Sequence, residues 1–206
     1  MAYKCPESFE RRAPGIYAIY INDLKQEGAR VMAFWNRKKK ESKHITVSKT
    51  DYGKAVLSYI VIQQGNNFEK LLTDLERDRD FTEYLGFLQY IVYISQKILE
   101  TRFSSADAAE IAISSFDGIV EYFEFIDDKK KLALAEVLKE QYTSLNEFID
   151  CDVYKEEGLH SLVDAFLEDI NVGKDYLYHL TFFTTFSSYI IHHTSSIFNE
   201  NITIVD

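Results

Sequence analysis

The chain has 206 residues, of which 46% are hydrophobic and 27% charged, and its formal net charge is −10 at pH 7. This length predicts one domain with a substantial core, and a total of two prolines and eight glycines argues against long flexible linkers. The chain starts without an apolar signal segment, and its two cysteines, Cys5 and Cys151, lie far apart in the sequence. We therefore expect a cytoplasmic protein with reduced thiols.

The charge is distributed unevenly along the chain. Residues 1–50 hold eleven basic and five acidic side chains, a net charge of +6, so the remaining residues carry −16. We expect one compact domain in which a basic, β-rich segment over residues 1–50 packs on an acidic, all-helical body over residues 51–206.

The first predicted elements are strands. Segments rich in β-branched and aromatic residues at about 15–22, 29–36 and 43–48 favour a small antiparallel β-meander, with Gly28 at a turn. A helix over residues 15–36 is the alternative. The final NITIVD is a further predicted strand, which would pair with HITVS or with the edge of the meander.

One short stretch resembles a known family. Residues 14–20, PGIYAIY, resemble the opening strand of the GIY-YIG nucleases, and the resemblance implies that Tyr17 matches the signature tyrosine of that family. Residues 31–35, VMAFW, lack the Tyr-Ile-Gly that ends the second strand of those nucleases. The likeness therefore covers seven residues, and we assign no family from it.

From Asp51 onward the apolar spacing is helical. The pattern predicts a helix that Gly65 ends, a short second helix from Phe68, and a buried third helix over Phe81–Leu99. Later helices are predicted to begin after a capping box at Ser104 and at the acidic pair Asp127–Asp128. A further amphipathic helix is predicted over residues 159–170. The predicted fold class is mainly α: a helical bundle of six to seven helices with a small N-terminal antiparallel β-meander.

The last helical stretch, residues 176–198, contains no charged residue. It is long enough to span a bilayer, but the many Ser, Thr and His residues inside it argue against a membrane span. We expect a central helix buried on several sides, because apolar residues lie on all its faces; a pair of strands is the alternative. By three-and-four spacing the main apolar face contains the following residues: Tyr176, Leu180, Phe183, Ile190, Ile191 and Phe198.

The sequence contains weak signals for a chemical site. Glu157 and His160 form one Glu-x-x-His pair, and Asp175 and His179 lie one turn apart, but a di-iron bundle needs two such pairs with further glutamates. Gly-rich phosphate loops, nucleophile elbows and Cys-x-x-Cys pairs are absent from the sequence. We expect no metal and no cofactor. Whether the protein is an enzyme stays uncertain, with the balance against it.

The histidines offer a second possible site. His192 and His193 are about 100° apart on a helix, so we expect one to be buried and hydrogen-bonded among Ser and Thr groups while the other faces solvent. An enzyme would need a pocket of converging polar groups near His179, His192 or His193.

The leading functional hypothesis is a non-enzymatic protein-binding module, with an inhibitor, immunity-type or partner-subunit role. It would act through acidic faces on a partner with a basic surface, because opposite charges speed encounter. No membrane partner is expected, and the oligomeric state is open. The predicted contact residues are acidic and fall in three clusters: Asp74, Asp78, Asp80, Glu121, Glu124, Asp127, Asp128, Glu147, Asp150 and Asp152.

The alternative hypothesis is a nucleic-acid-associated protein. Basic residues beside an aromatic side chain have the composition that tracks a phosphate backbone and stacks bases. The residues predicted to do this lie in the basic N-terminal segment: Trp35, Arg37, Lys38, Lys39, Lys40 and Lys43.

Overall fold

The computed structural model describes residues 45–74, 81–149, 151–169, 176–197 and 202–205. All of them belong to a unit that runs from His44 to Asp206. Helix α1 is a continuous run in three parts, Lys49–Asp51, a π-helical turn Tyr52–Leu57, and Ser58–Asp74. Strand β1, Ile45–Ser48, precedes α1. The elements that follow α1 are, in chain order, α2 Phe81–Leu99, α3 Ser105–Glu121, α4 Asp128–Phe148, α5 Glu156–Asp169, α6 Tyr176–Ile197 and β2 Ile202–Val205. The prediction of a mainly helical chain is confirmed.

The strands β1 and β2 form a parallel two-stranded sheet. Ile45 pairs with Ile202, and Ser48 pairs with Val205. The predicted pairing of HITVS with NITIVD is therefore confirmed, and it joins the start of the described chain to its last strand. The predicted strands at 15–22 and 29–36 lie outside the described residues, so the antiparallel meander stays a prediction.

The predicted helix end at Gly65 is wrong, because α1 continues through it. A Cβ at this position would come within 2.6 Å of the Leu88 side chain and within 2.7 Å of the Tyr84 hydroxyl of α2. Gly65 therefore leaves space for the ends of two core side chains of α2, which would have to shift to admit a larger residue. Glycine ends a helix when the backbone turns left-handed after it, which the continuous helix excludes here.

The π-helical turn of α1 packs against α3 backbone to backbone. A Cβ at Gly53 would collide with the carbonyl oxygen of Ile111, and one at Gly118 would collide with that of Lys54. A π-helical turn inserts one extra residue, which shifts the register of the side chains that follow it. Two ion pairs hold the same contact, Lys49 to Asp107 at 2.5 Å and Lys54 to Asp117 at 3.4 Å.

Two helices begin where the sequence predicts. The Ser104 hydroxyl accepts from the backbone N–H of Asp107 at 3.2 Å, and the Asp127 carboxylate accepts from that of Lys130 at 3.0 Å. Each side chain satisfies a backbone donor that the first helical turn leaves free. The hydrogen bond from the Lys130 side chain also lowers the pKa of Asp127, so the cap carries its charge at neutral pH.

The centre of the bundle is α2, in which fourteen of the 19 residues are buried. This confirms the prediction of a buried helix over Phe81–Leu99. The Phe87 ring stacks on Phe68 of α1 with ring centroids 4.1 Å apart. It also contacts Phe166 of α5 at 5.8 Å and both Phe182 and Phe186 of α6 at 5.6 and 5.7 Å. One aromatic cluster thus joins four helices.

The prediction that α6 is a central helix buried on several sides is wrong. Of the apolar face named from its spacing, Phe183 and Ile190 pack against the core, and the side chains of Tyr176 and Phe198 lie outside the described part. Leu180 is 46% exposed and Ile191 is 70% exposed. The opposite face packs on α2, because it carries the aromatic rings that fit the Phe87 cluster, and large rings bury the most apolar area. The buried residues of α6 repeat at helical spacing: Tyr178, Phe182, Phe186, Tyr189, His193 and Ile197.

This orientation of α6 predicts opposite outcomes for two substitutions. Phe186→Ala should lower the free energy of unfolding by about 3–5 kcal/mol, because it opens a cavity beside Phe87. Ile191→Ala should change it by less than about 0.5 kcal/mol, because this side chain is mostly in water. Urea unfolding measured for both variants checks the orientation. Equal losses would contradict it.

Candidate functional site

The predicted acidic cluster around residues 121–128 lies at the end of α3 and the start of α4, and neighbouring lysines balance much of its charge. Glu121 pairs with Lys131 at 3.3 Å, and Asp127 pairs with Lys130 at 2.8 Å. Glu124 and Asp128 are also exposed. Three consecutive lysines, residues 129–131, follow these acids in the sequence. This cluster therefore presents little net charge to a partner.

The other predicted contact residues are less informative. Glu147 is exposed in the last turn of α4. Asp152 accepts a hydrogen bond from Lys155 at 3.0 Å, which lowers its pKa, and it caps the turn through the backbone N–H of Tyr154. Asp74 ends α1 but its side chain is outside the described part, as are Asp78, Asp80 and Asp150.

The basic set of the alternative hypothesis lies outside the described residues altogether. This applies to Trp35, Arg37, Lys38, Lys39, Lys40 and Lys43, and also to the segment that resembles GIY-YIG nucleases. Nucleic-acid binding through these side chains therefore stays a prediction.

A different acidic surface lies on α5. This helix, EEGLHSLVDAFLED, contains five acidic residues and no lysine or arginine. Glu157, Asp164 and Glu168 follow four-and-three spacing through Ser161, so they share one helix face, and we call them the acidic strip. Glu157 and Glu168 are exposed, while Asp164 is half-buried. Since α5 contains no lysine or arginine, its exposed Glu157 and Glu168 make this face of the helix acidic.

Stacked rings hold α5 against α6. The His160 ring lies between the rings of His179 and Phe183, at centroid distances of 5.1 and 4.4 Å and within 15° of parallel. Asp164 of the acidic strip lies 3.1 Å from Nε2 of His179. The acidic strip is therefore on the side of α5 that meets α6.

The structure brings together His160 and His179, which sequence spacing placed in separate pairs. Their rings stack, whereas two metal ligands would point their ring nitrogens at a common centre. Among the described residues, no three His, Cys, Asp or Glu side chains form a group that could hold a metal ion. Asp175, the fourth candidate, is outside this part of the chain.

The solvent-facing side of α6 carries no charge. Leu177 is 62% exposed, and Leu180 and Ile191 are also exposed. The other exposed positions on α6 are Thr184, Ser188, Ser195 and His192. We call the set without His192 the outer strip, and it consists of Leu177, Leu180, Thr184, Ser188, Ile191 and Ser195. Leu180 lies about 60° around the helix from Phe183, which contacts His160 of α5, so the outer strip borders the seam with α5.

The buried side of α6 contains an unusual histidine. His193 is fully buried, and neither of its ring nitrogens has a hydrogen-bond partner among the described residues. Burial, with a smaller contribution from His192, lowers the pKa of His193 to about 3, so the imidazole is neutral near pH 7. The sequence correctly predicted one buried and one exposed histidine, but the predicted hydrogen bonds to Ser and Thr are wrong. Those hydroxyls bond instead to backbone carbonyls one turn earlier.

Other polar groups lie close to His193. Its ring is 5.1 Å from that of Tyr189, whose hydroxyl is hydrogen-bonded to Ser95 of α2. Burial raises the pKa of Tyr189, and also that of Tyr52 in the π-helical turn, so both phenols are neutral. His193 thus faces neutral groups that cannot compensate a positive charge.

The three histidines named by the enzyme hypothesis do not converge. His179 is at the seam with α5, His192 is exposed, and His193 is inside the core. Fourteen residues of helix separate His179 from His193, a rise of about 21 Å. A single reacting group cannot contact both, so this arrangement offers no shared catalytic centre.

No protein-family model, curated protein or solved structure matches the chain. Of the helices in the described part, none has both the length and the apolarity that crossing a bilayer requires.

His193 makes stability depend on pH. Its pKa is about 3 in the folded protein against the ordinary 6.5, so the unfolded chain binds the extra proton between these values and stability falls as pH falls. The loss is about 1.4 kcal/mol for each pH unit in that window. The Tyr189 ring lies 5.1 Å from that of His193, His192 contributes to the lowered pKa, and neither residue is an acid.

Urea unfolding between pH 7 and pH 4.5 tests this. We expect His193→Leu to be as stable as the wild type or more so at pH 7, since it removes buried unpaired nitrogens, and to lose less stability in acid. His192→Leu, on the exposed neighbour, is the control and should keep the wild-type pH profile. An unchanged profile in His193→Leu would contradict a neutral buried His193.

Proposed function

We propose that the protein is a non-enzymatic binding module that attaches to another protein through acidic surface contacts. Inhibitor, immunity-type and partner-subunit roles all belong to this class. The observation that supports it best is the acidic strip of α5, which has exposed carboxylates at Glu157 and Glu168 and no base on its own helix. Such a surface attracts a basic partner over about a Debye length, roughly 8 Å at physiological salt.

The acidic strip suits this role better than the clusters named from the sequence. Lysines pair with Glu121, Asp127 and Asp152, and exposed ion pairs of this kind leave little charge to attract a partner. Glu157 and Glu168 are held on a helix that packs into the core through Phe166 and other apolar residues. A fixed array of charge loses little conformational freedom on binding, which favours affinity.

The arrangement also supports binding over catalysis. Polar groups that could react are either separated along α6 or enclosed among neutral partners, as His193 is. The acidic surface would repel a phosphate backbone, so the described residues give no added support to nucleic-acid binding. A salt titration of binding to single-stranded and duplex DNA and RNA tests that alternative through the basic N-terminal residues.

A pull-down from the native host tests the proposal. The bait is the full chain in three forms: wild type, Glu157→Lys with Glu168→Lys, and Glu136→Lys with Glu140→Lys as control. Both double variants change exposed acids and shift the net charge equally. Thermal unfolding of each establishes that it is folded.

We expect mass spectrometry to find a protein with a basic surface captured by the wild type and the control but lost with the α5 variant. Capture should weaken as salt rises, because exposed charges are screened. A partner held equally by all three forms would contradict a role for the acidic strip.

A further inference from the structure

We infer that the outer strip of α6 is the apolar half of the same binding surface, and that its occupant is a basic amphipathic helix of another protein. This inference rests on the proposed function and names the chemistry of the partner. It starts from the contrast between α6 and the other helices. The exposed positions of α4 and α5 include several charged residues, whereas those of α6 carry Leu, Ile, Ser, Thr and one His and no Asp, Glu, Lys or Arg.

The lack of charge on the outer strip is typical of the centre of an interface. Charged residues are depleted there, and the buried centre is more apolar than the rest of a surface. Of the six strongly exposed large hydrophobic side chains among the described residues, three belong to the outer strip: Leu177, Leu180 and Ile191. The other three, Leu132, Tyr154 and Val205, are on different elements.

Two of the three hydroxyls of the outer strip, those of Thr184 and Ser195, do not oppose burial. Thr184 donates to the carbonyl of Leu180 at 2.8 Å, and Ser195 donates to that of Ile191 at 3.1 Å. Covering an unpaired hydroxyl would cost about 1–3 kcal/mol, but these donors are already satisfied within the helix. A partner can therefore pack on the strip without supplying hydrogen bonds to them.

The shape and charge of the surface indicate a helix. Leu177, Leu180 and Ile191 span about 21 Å along α6, a length that a partner helix of about 14 residues covers. An amphipathic helix lays one apolar face on such a strip. The acidic strip of α5 borders it at the seam of His179 and Asp164, so basic residues along one edge of the partner helix would face Glu157 and Glu168.

Charge also argues against two other occupants. A second copy docked antiparallel on α6 by a two-fold axis would bring the acidic strips of the two molecules toward each other, which is repulsive. A helix that lies on a membrane usually binds through Lys and Arg on its polar face, and α6 has neither while α5 would repel anionic lipid.

Fluorescence anisotropy with a defined peptide tests the inference. The probe is a labelled synthetic helix of about 18 residues with leucines on one face and lysines beside them. One control peptide has the same composition rearranged so that the leucines share no face, and another replaces lysine by glutamate. The protein variants are Leu180→Ser with Ile191→Ser, Glu157→Lys with Glu168→Lys, and Leu132→Ser as a matched exposed control.

We expect the amphipathic basic peptide to bind the wild type at least about tenfold more tightly than either control peptide. The double α6 variant should weaken binding of this peptide by a similar factor, because the peptide dissociates faster. The α5 variant should also weaken binding, because association becomes slower and less dependent on salt. Leu132→Ser should leave binding unchanged. Equal binding of the rearranged peptide, or equal losses with Leu132→Ser, would overturn the inference.

The host partner separates this inference from the proposed function. If capture of that partner needs Glu157 and Glu168 but survives the double α6 variant, the binding module stands and the apolar half is wrong. If neither variant affects capture, both are wrong. A dimer in sedimentation that the α6 variant dissociates, or binding to anionic vesicles that it abolishes, would assign the strip to a second copy or to lipid and would also overturn the inference.

Discussion

The aromatic cluster around Phe87 is the contact on which the rest of this structure depends. Rings from α1, α5 and α6 meet on one residue of α2, with Phe68 stacked at 4.1 Å and Phe182 at 5.6 Å. A fully buried Phe contributes about 1.5–3 kcal/mol of transfer free energy, and paired rings add about 0.5–1.5 kcal/mol each. Because the cluster joins helices far apart in sequence, it selects which face of each one turns inward.

That selection produces the surface we consider functional. Once Phe182 and Phe186 face α2, the rotation of α6 is set, and Leu180 and Ile191 must face solvent. His160 of α5 then inserts between His179 and Phe183, which places the acidic strip beside the outer strip. Packing brings exposed charge and exposed apolar side chains together, although α5 exposes no large apolar side chain and α6 has no charged residue. A binding surface of this kind is rigid, because both of its helices are anchored in the core.

The core also contains polar groups that oppose stability. His193 has no hydrogen-bond partner among the described residues, and Tyr52 is also without one. Each such group costs about 1–3 kcal/mol in an apolar setting. Both lie in the region where α6 and the π-helical turn of α1 approach Ser95 and Tyr189, so the unfavourable groups are concentrated in one part of the bundle. The acid sensitivity expected for His193 is a direct consequence of that position.

The sequence by itself determined the helices, because apolar spacing, the caps at Ser104 and Asp127, and the lack of proline are local properties. It also determined that residues 176–198 are uncharged and that α2 is buried. Only the tertiary structure decided that α1 passes through Gly65, that α6 is peripheral, and that His160 meets His179. These features depend on contacts between distant residues. Gly65 fits against Tyr84 and Leu88, and α6, which has apolar residues on several faces, buries the face whose aromatic rings pack against Phe87. The candidate surface could not be predicted for the same reason, since exposure on α6 follows from the rotation that Phe87 imposes.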